Sequence, residues 1–583
     1  MNSKYNLKVA CLSILSIFSV SCLDLEPKAQ MGDNLVWDKA DNFQLFANQF
    51  YAWSRDFQLS GTNTYGNGVN DGPHSDYRSD LIATSSINTY SQGTNVIPAK
   101  DDNYTTLYRQ IYYTNLLLNR AELFEDKAAI AIPVAEAKFF RAYCHFELVQ
   151  IWGNAILLTQ PLDLNSGELY APRNDRGEVI DQIVIDLQEA AEALPETAEA
   201  GRLTKYAAYA MLSRVALYEG TWQKFHTNGA DTEINTERSS LLLTIAKEAA
   251  YNVIKDNKYK LFYNAILGNQ SYRYMFILED AAQCNPANLT KNDNTEYIFS
   301  HRHRDGDRNG TNITQGMLAN VCYITRKMAN MYLCSNGLPI EKAGDLFKGY
   351  SNATSEFQNR DNRMSNTMIQ HEQLYWNNDG KWRVTWNDED LDNSLKMDVR
   401  LNSGYQNYKW CVERHVADYY ESIDYPVLRY AEVLLNYVEA VYELQGNINN
   451  EDLKYLNLVR KRVNPNMPDL TNEFVNRNEL SMREEIRRER TVELFLEGFR
   501  IDDLKRWATA PREMSQDQIG VKVKGTWFES NWASSQSRLL NEEGCIILYD
   551  GRVWDDKLYL YPLPSDQLQL NPLLGQNPGW INE

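Results

Sequence analysis

Two stretches of the sequence collect side chains suited to holding a ligand by contact alone. One runs from Ser60 to Lys100 and offers Tyr65, Asp71, His74, Asp76, Arg78, Asp80 and Tyr90 in a run rich in Gly, Asn, Ser and Asp. The other lies between about Tyr259 and Tyr420 and offers Trp376, Trp382, Trp386, Tyr405 and Trp410. Aromatic rings supply flat apolar platforms, while carboxylates, imidazole and guanidinium supply hydrogen-bond partners around them. A sugar needs both, because its ring has apolar C–H faces and a rim of hydroxyls. The four tryptophans sit among polar neighbours in a pattern that neither a helix nor an alternating strand buries as a set, so some are expected at the surface. A peptide could use the same rings, and residue types alone do not separate the two ligands.

Covalent chemistry finds less support. A glycosidase needs two carboxylates across the scissile bond, but among 78 acidic residues such a pair always exists somewhere and carries no information. The sequence has no G-x-S-x-G elbow, no phosphate-binding P-loop and no H-E-x-x-H, so an enzyme is not expected. No cofactor is required, although calcium has one candidate: Asp305, Asp307 and Asn309 place oxygens at alternate positions before Gly310, as in the first half of an EF-hand loop. Gly316 stands where that loop needs its bidentate Glu, and a plain turn is the preferred reading. His301 and His303 alternate along one strand face and could share a metal. With Arg302 and Arg304 beside them, solvated or hydrogen-bonded imidazoles are preferred.

The net charge of -19 excludes nucleic acid and an anionic membrane surface as partners. At the N-terminus, Lys4 and Lys8 precede an apolar run from Val9 to Val20, which reads as a signal peptide. Ser19-Val20-Ser21-Cys22 resembles a lipobox, which assigns Cys22 as the lipidated residue, although Ser19 replaces the usual Leu. Asp24 and Glu26 resemble the surface-export signal of some Gram-negative lipoproteins. After Cys22 no apolar run reaches the length of a membrane-spanning helix, so attachment is expected through lipid alone. The six remaining cysteines show no zinc-site or disulfide-framework spacing and are expected to be mostly buried thiols.

The elements that hold the two loop regions are helical. Apolar periods predict helices around Phe43 to Phe57, Leu107 to Leu118, Ala137 to Ile151, Val179 to Leu194, Leu203 to Trp222, Leu241 to Ile254 and Leu428 to Tyr442. Lys205 to Trp222 alternates small and large residues as tetratricopeptide helices do. Met482 to Trp507 is the most densely patterned stretch, with an apolar stripe, a possible bend at Gly498, and seven basic residues balanced by seven acidic ones. That balance suits a solvated or inter-helix salt-bridged face and makes the stretch scaffold. The chain divides into a signal peptide (1–21), a lipidated tether (22–37), an N-terminal helical part with its binding loop at 60–100 (38–258), a loop-rich variable region (259–420), and a C-terminal helical part with an extended closing segment (421–583).

AEAKFFRAYCHFELVQIWG (135–153), YPVLRYAEVLLNYVEA (425–440), IRRERTVELFLEGFRIDDLKRW (486–507) and the closing YPLP to QNPGW occur in this order, together with Ser335 to Pro339 and Arg360 to Arg363. In these pieces the chain resembles the SusD/RagB family of outer-membrane nutrient-binding lipoproteins, with Asn362 in place of the family's usual Pro. The resemblance implies a mainly α fold: a tetratricopeptide-like scaffold of helical hairpins carrying a loop-rich, short-strand ligand-binding region. It also implies capture of oligo- or polysaccharide at the cell surface without catalysis, and a SusC-like TonB-dependent transporter barrel as partner.

Overall fold

The computed structural model describes residues 37–57, 72–83, 92–226, 235–304, 310–319, 322–370, 373–378, 381–384, 403–414, 417, 419–531 and 538–580. Helices dominate. α1 (Ala40–Ala47) runs into a 3-10 turn at Asn48–Trp53, and is followed by α2 (Asp102–Leu123), α3 (Ala131–Trp152), α4 (Arg176–Ala193), α5 (Lys205–Phe225) and α6 (Thr236–Lys255). Each of α2 to α6 packs on the next, as the sequence periods predict for stacked hairpins.

Local chemistry sets the ends of these helices. The Asp101 carboxylate accepts from the N–H groups of Asn103 and Tyr104, and Asp175 does the same for Gly177, satisfying donors that a first helical turn leaves free. α3 stops at Gly153, which takes φ 75° and returns its N–H to the Val149 carbonyl. α5 and α6 approach closely because α5 is lined with small residues. A Cβ on Gly220 would lie 3.1 Å from the Leu243 side chain.

In the C-terminal half, α7 (Tyr430–Gln445) packs on α5 and α6, followed by α8 (Asn450–Lys461), α9 (Met482–Glu493) and α10 (Arg500–Arg506). The expected bend falls between α9 and α10, where Leu496 and Gly498 have φ 62° and 75°. Along α9, neighbouring charges pair at i,i+3, Arg487 with Glu484 and Arg488 with Glu485.

Strands are few and short: β1 (Ile82–Ala83), β2 (Tyr297–His301), β3 (Tyr323–Ile324), β4 (Met368–Ile369), β5 (Leu374–Asn378), β6 (Lys381–Val384), β7 (Gln406–Asn407), β8 (Tyr425–Arg429), β9 (Gln518–Lys522) and β10 (Cys545–Tyr549). β2 pairs with β8, β5 with β6 and β9 with β10, all antiparallel. The fold class expected from the sequence is the one observed. One apolar core runs through both halves, from Phe43 to Trp580. The six described cysteines are free thiols, and all but Cys284 are buried. No helix among the described residues is long and apolar enough to cross a membrane.

Candidate ligand-binding surface

The two loop regions meet in one small sheet of order β1-β3-β7-β4. Ile82 faces Ile324, Tyr323 pairs with Gln406, and Gln406 pairs in turn with Ile369. The first region contributes β1 and the second the other three strands, so segments separated by more than two hundred positions are joined by backbone hydrogen bonds.

Both regions are rooted in the break between α9 and α10. A helix end leaves backbone groups without intrahelical partners, and loop side chains fill those positions here. Asp76 accepts from the N–H groups of Gly498 (3.4 Å) and Arg500 (3.2 Å). From the other region, Lys409 donates to the Phe495 carbonyl (2.6 Å) and the Trp410 indole donates to that of Leu496 (3.1 Å). Asp80 makes a two-pronged ion pair with Arg500 (2.8 and 2.7 Å) and a second with Lys327 (2.7 Å). His74 lies between Asp502 (2.7 Å) and Glu147 (2.9 Å). Burial and the nearby Arg55 pull its pKa down, yet the two carboxylates outweigh them and it stands raised. Burial pushes the Asp76 carboxyl up to about 7 despite the N–H groups it accepts from.

This geometry corrects several expectations. His74, Asp76 and Asp80 are at most 3% exposed and are committed to interior partners, so they support the loop and offer no surface to a sugar. Tyr405, with its hydroxyl 3.0 Å from Glu356, and Trp410, fully buried with φ 69°, are interior for the same reason. Arg78 is half-buried, with its guanidinium over the Tyr561 ring at 5.1 Å. Trp376 is half-buried on β5 and packs against the core, with Arg383 of β6 opposite it. Trp382 stands on β6 in register with Asn377, and its side chain lies outside the described residues. Also outside them are Cys22, Tyr65, Asp71, Tyr90 and Trp386, and the calcium candidates Asp305, Asp307 and Asn309.

Sequence reasoning missed the partners of these anchors. Arg55 follows the Asn48–Trp53 turn, Glu147 lies on α3 and Asp502 on α10, and no spacing in the sequence connects them. It also left His301 and His303 without a third group. The structure puts Asp56 beside them, with the His303 Nε2 at 3.2 Å from the Asp56 Oδ2.

Among the described residues, clefts open in the helical scaffold. One of about 1200 Å³, counting solvent in its mouth, is lined by α2, α3 and α4 with Lys127, Lys138 and Arg141 at its walls. Another, about 430 Å³, lies against α9 and α10 among Arg487, Arg488 and Arg512. Neither is lined by a residue picked out for ligand binding from the sequence.

Residues 23–217 match a family described as starch-binding and associating with outer membrane, and residues 281–580 match the SusD family. SusD-like protein P25 of Formosa agariphila is 34% identical over 129 residues, which are 21% of this chain and 24% of that protein. The chain therefore spans about a quarter of the length of that curated relative. A SusD-like carbohydrate binding protein of Bacteroides fragilis has the same fold, with a TM-score of 0.70 at 21% identity, covering 93% of this chain and 100% of that one. A second SusD-like protein of that species gives a TM-score of 0.69 at 22% identity, covering 94% and 98%. Two family matches that together take in both helical halves, one of them spanning more than half the chain, and a common fold over nearly the whole length establish that this chain belongs to the SusD family.

Proposed function

We propose that the protein is a lipid-anchored outer-membrane protein that binds oligo- or polysaccharide at the cell surface and passes it to a TonB-dependent transporter barrel. The observation that carries the binding part is the common root of the two loop regions. Segments rich in aromatic and polar residues are joined by one sheet and seated by buried charges in one helix break. Preorganised loop bases reduce the ordering needed when a ligand arrives. The name of the carbohydrate-binding relative and the description of the family matched at 23–217 support a glycan as ligand and the outer membrane as location. The lipobox-like Ser19 to Cys22, followed by Asp24 and Glu26, supports lipidation at Cys22 and surface exposure.

Tyr65, Asp71, Arg78, Tyr90, Trp376, Trp382 and Trp386 are the residues assigned to the glycan. No catalytic step and no cofactor enter this reading. Labelling of intact cells with an impermeant reagent is expected to modify the protein, and purification in mild detergent to recover a large barrel with it. A protein protected from the reagent would overturn the surface assignment, and purification without a barrel would overturn the partner.

A further inference from the structure

Asp56, His301 and His303 bring one carboxylate oxygen and two imidazole nitrogens within 4.8 Å of one another, at a half-exposed position where the chain leaving the Asn48–Trp53 turn meets the end of β2. The sequence alone placed only the two histidines together. Asp56 comes from a segment 245 residues upstream of His301, calculated from their positions.

What surrounds the three groups orients them as ligands of this kind are normally oriented. The Nδ1 of His303 lies 3.0 Å from the Ile423 carbonyl, and the Nδ1 of His301 lies 3.2 Å from the Ser54 carbonyl and 3.0 Å from its Oγ. A backbone carbonyl can only accept, so each Nδ1 carries a proton and the Nε2 is the nitrogen left to serve as ligand, that of His303 by giving up to solvent the proton it shares with Asp56 when an ion takes its place. The Oδ1 of Asp56 is held by the Phe57 N–H at 2.7 Å, while its Oδ2 faces the His303 Nε2. The flanking Arg302 is turned away to Asp424 (3.0 Å) and Asn292 (3.2 Å). Two imidazoles and one carboxylate form a mixed nitrogen and oxygen set that suits a borderline transition ion better than the all-oxygen shells of calcium or magnesium.

We propose that Asp56, His301 and His303 form a three-ligand site for a divalent transition metal ion, with zinc as the reference ion and its remaining coordination positions open to water. Ligand bonds of about 2.0–2.2 Å require the three side chains to draw together by small rotations, and the half-exposed position leaves a path for entry. A bound ion would tie the chain after α1 to the paired strands β2 and β8.

The test uses detergent-solubilised full-length protein without an affinity tag, stripped with chelator and titrated with Zn²⁺ by calorimetry. One ion per chain is expected, together with a rise in Tm on loading. Asp56→Asn should weaken binding by about tenfold or more, and His303→Ala should abolish it. Co²⁺ should give visible absorption bands in the parent protein that Asp56→Asn alters and His303→Ala removes. The metal-free Tm of each variant, close to that of the parent, separates a lost ligand from a lost fold. Should His303→Ala fail to fold, Asp56→Asn and His301→Gln decide the matter in its place. Absence of stoichiometric binding, or binding of equal strength in every folded variant, would overturn the proposal and leave Asp56 and His303 as a simple ion pair.

Discussion

At the scale of single residues, the interior of this protein is organised by charge to an unusual degree. Glu493, fully buried, receives Arg363 (2.9 Å), Arg429 (2.7 Å) and Arg462. Glu497 receives Arg429 (2.6 Å) and Lys409 (2.6 Å). Removing Glu493 from such a set leaves Arg363, Arg429 and Arg462 short of a shared counter-charge, although each keeps at least one other carboxylate, and the penalty exceeds what the pairs contributed when whole. Glu493→Gln is accordingly expected to lower the unfolding free energy by about 3–5 kcal/mol in a urea titration. Arg483→Ala should cost less than about 1 kcal/mol, since Arg483 is about a third exposed and its partner Glu443 keeps Lys224.

Two further buried carboxylates make stability depend on acid pH. Burial alone would raise the Glu147 and Glu439 carboxyls, but Arg55 with His74, and Arg506, hold them down to about 2. Their folded-state pKa lies below the ordinary value of 4.5, so their contribution is complete above 4.5 and disappears as the pH falls from there to about 2. Thermal denaturation across that window should show Tm falling with pH, and Glu439→Gln should start lower and fall less steeply. The sequence showed that Met482 to Trp507 carries balanced charge, and a solvated face was one way to read it. It could not show that most of these charges point inward, because their partners Asp80, Arg363, Lys409 and Arg429 come from elements far away in the chain.

At the scale of elements, the helix positions were legible because each has an apolar period, and end residues fix them in the structure: Asp101 caps the start of α2, and Gly153 and Gly446 close α3 and α7. α7 also carries a polar stripe, Glu432, Asn436, Glu439 and Glu443, whose destination the sequence does not show. These side chains meet Arg214, Ser213, Arg506 and Arg483 inside the molecule. The break between α9 and α10 was anticipated at Gly498, whereas its use as a common seat for Asp76, Lys409 and Trp410 depends on backbone groups that every sequence has. Gly498 takes a left-handed φ of 75°, a conformation that costs a residue with a Cβ about 1–2 kcal/mol. Gly498→Ala should therefore lower stability by about that much. Hydrogen exchange should quicken at residues 76–83 and 406–411, while α3 and α5 keep their protection.

At the scale of the whole molecule, a helical body holds the roots of two loop-rich regions. Sequence composition marked those regions, and burial shows that several of the residues chosen in them are interior. Polar and aromatic side chains serve equally well as buried anchors and as ligand contacts, and only burial separates the two uses. His74, Asp76, Asp80, Tyr405 and Trp410 fell on the anchor side. Substituting them would weaken binding through the fold, whereas substituting tip residues should weaken it with the fold intact. Affinity electrophoresis of the protein without its lipid, in gels containing each of a panel of polysaccharides, makes that distinction directly. The account predicts retardation by at least one glycan, and loss of that retardation in the double variant Trp382→Ala/Trp386→Ala with an unchanged Tm. Free migration of the parent protein in every gel would contradict the glycan-binding claim itself, and full retardation of the double variant would contradict the assignment of the second loop region.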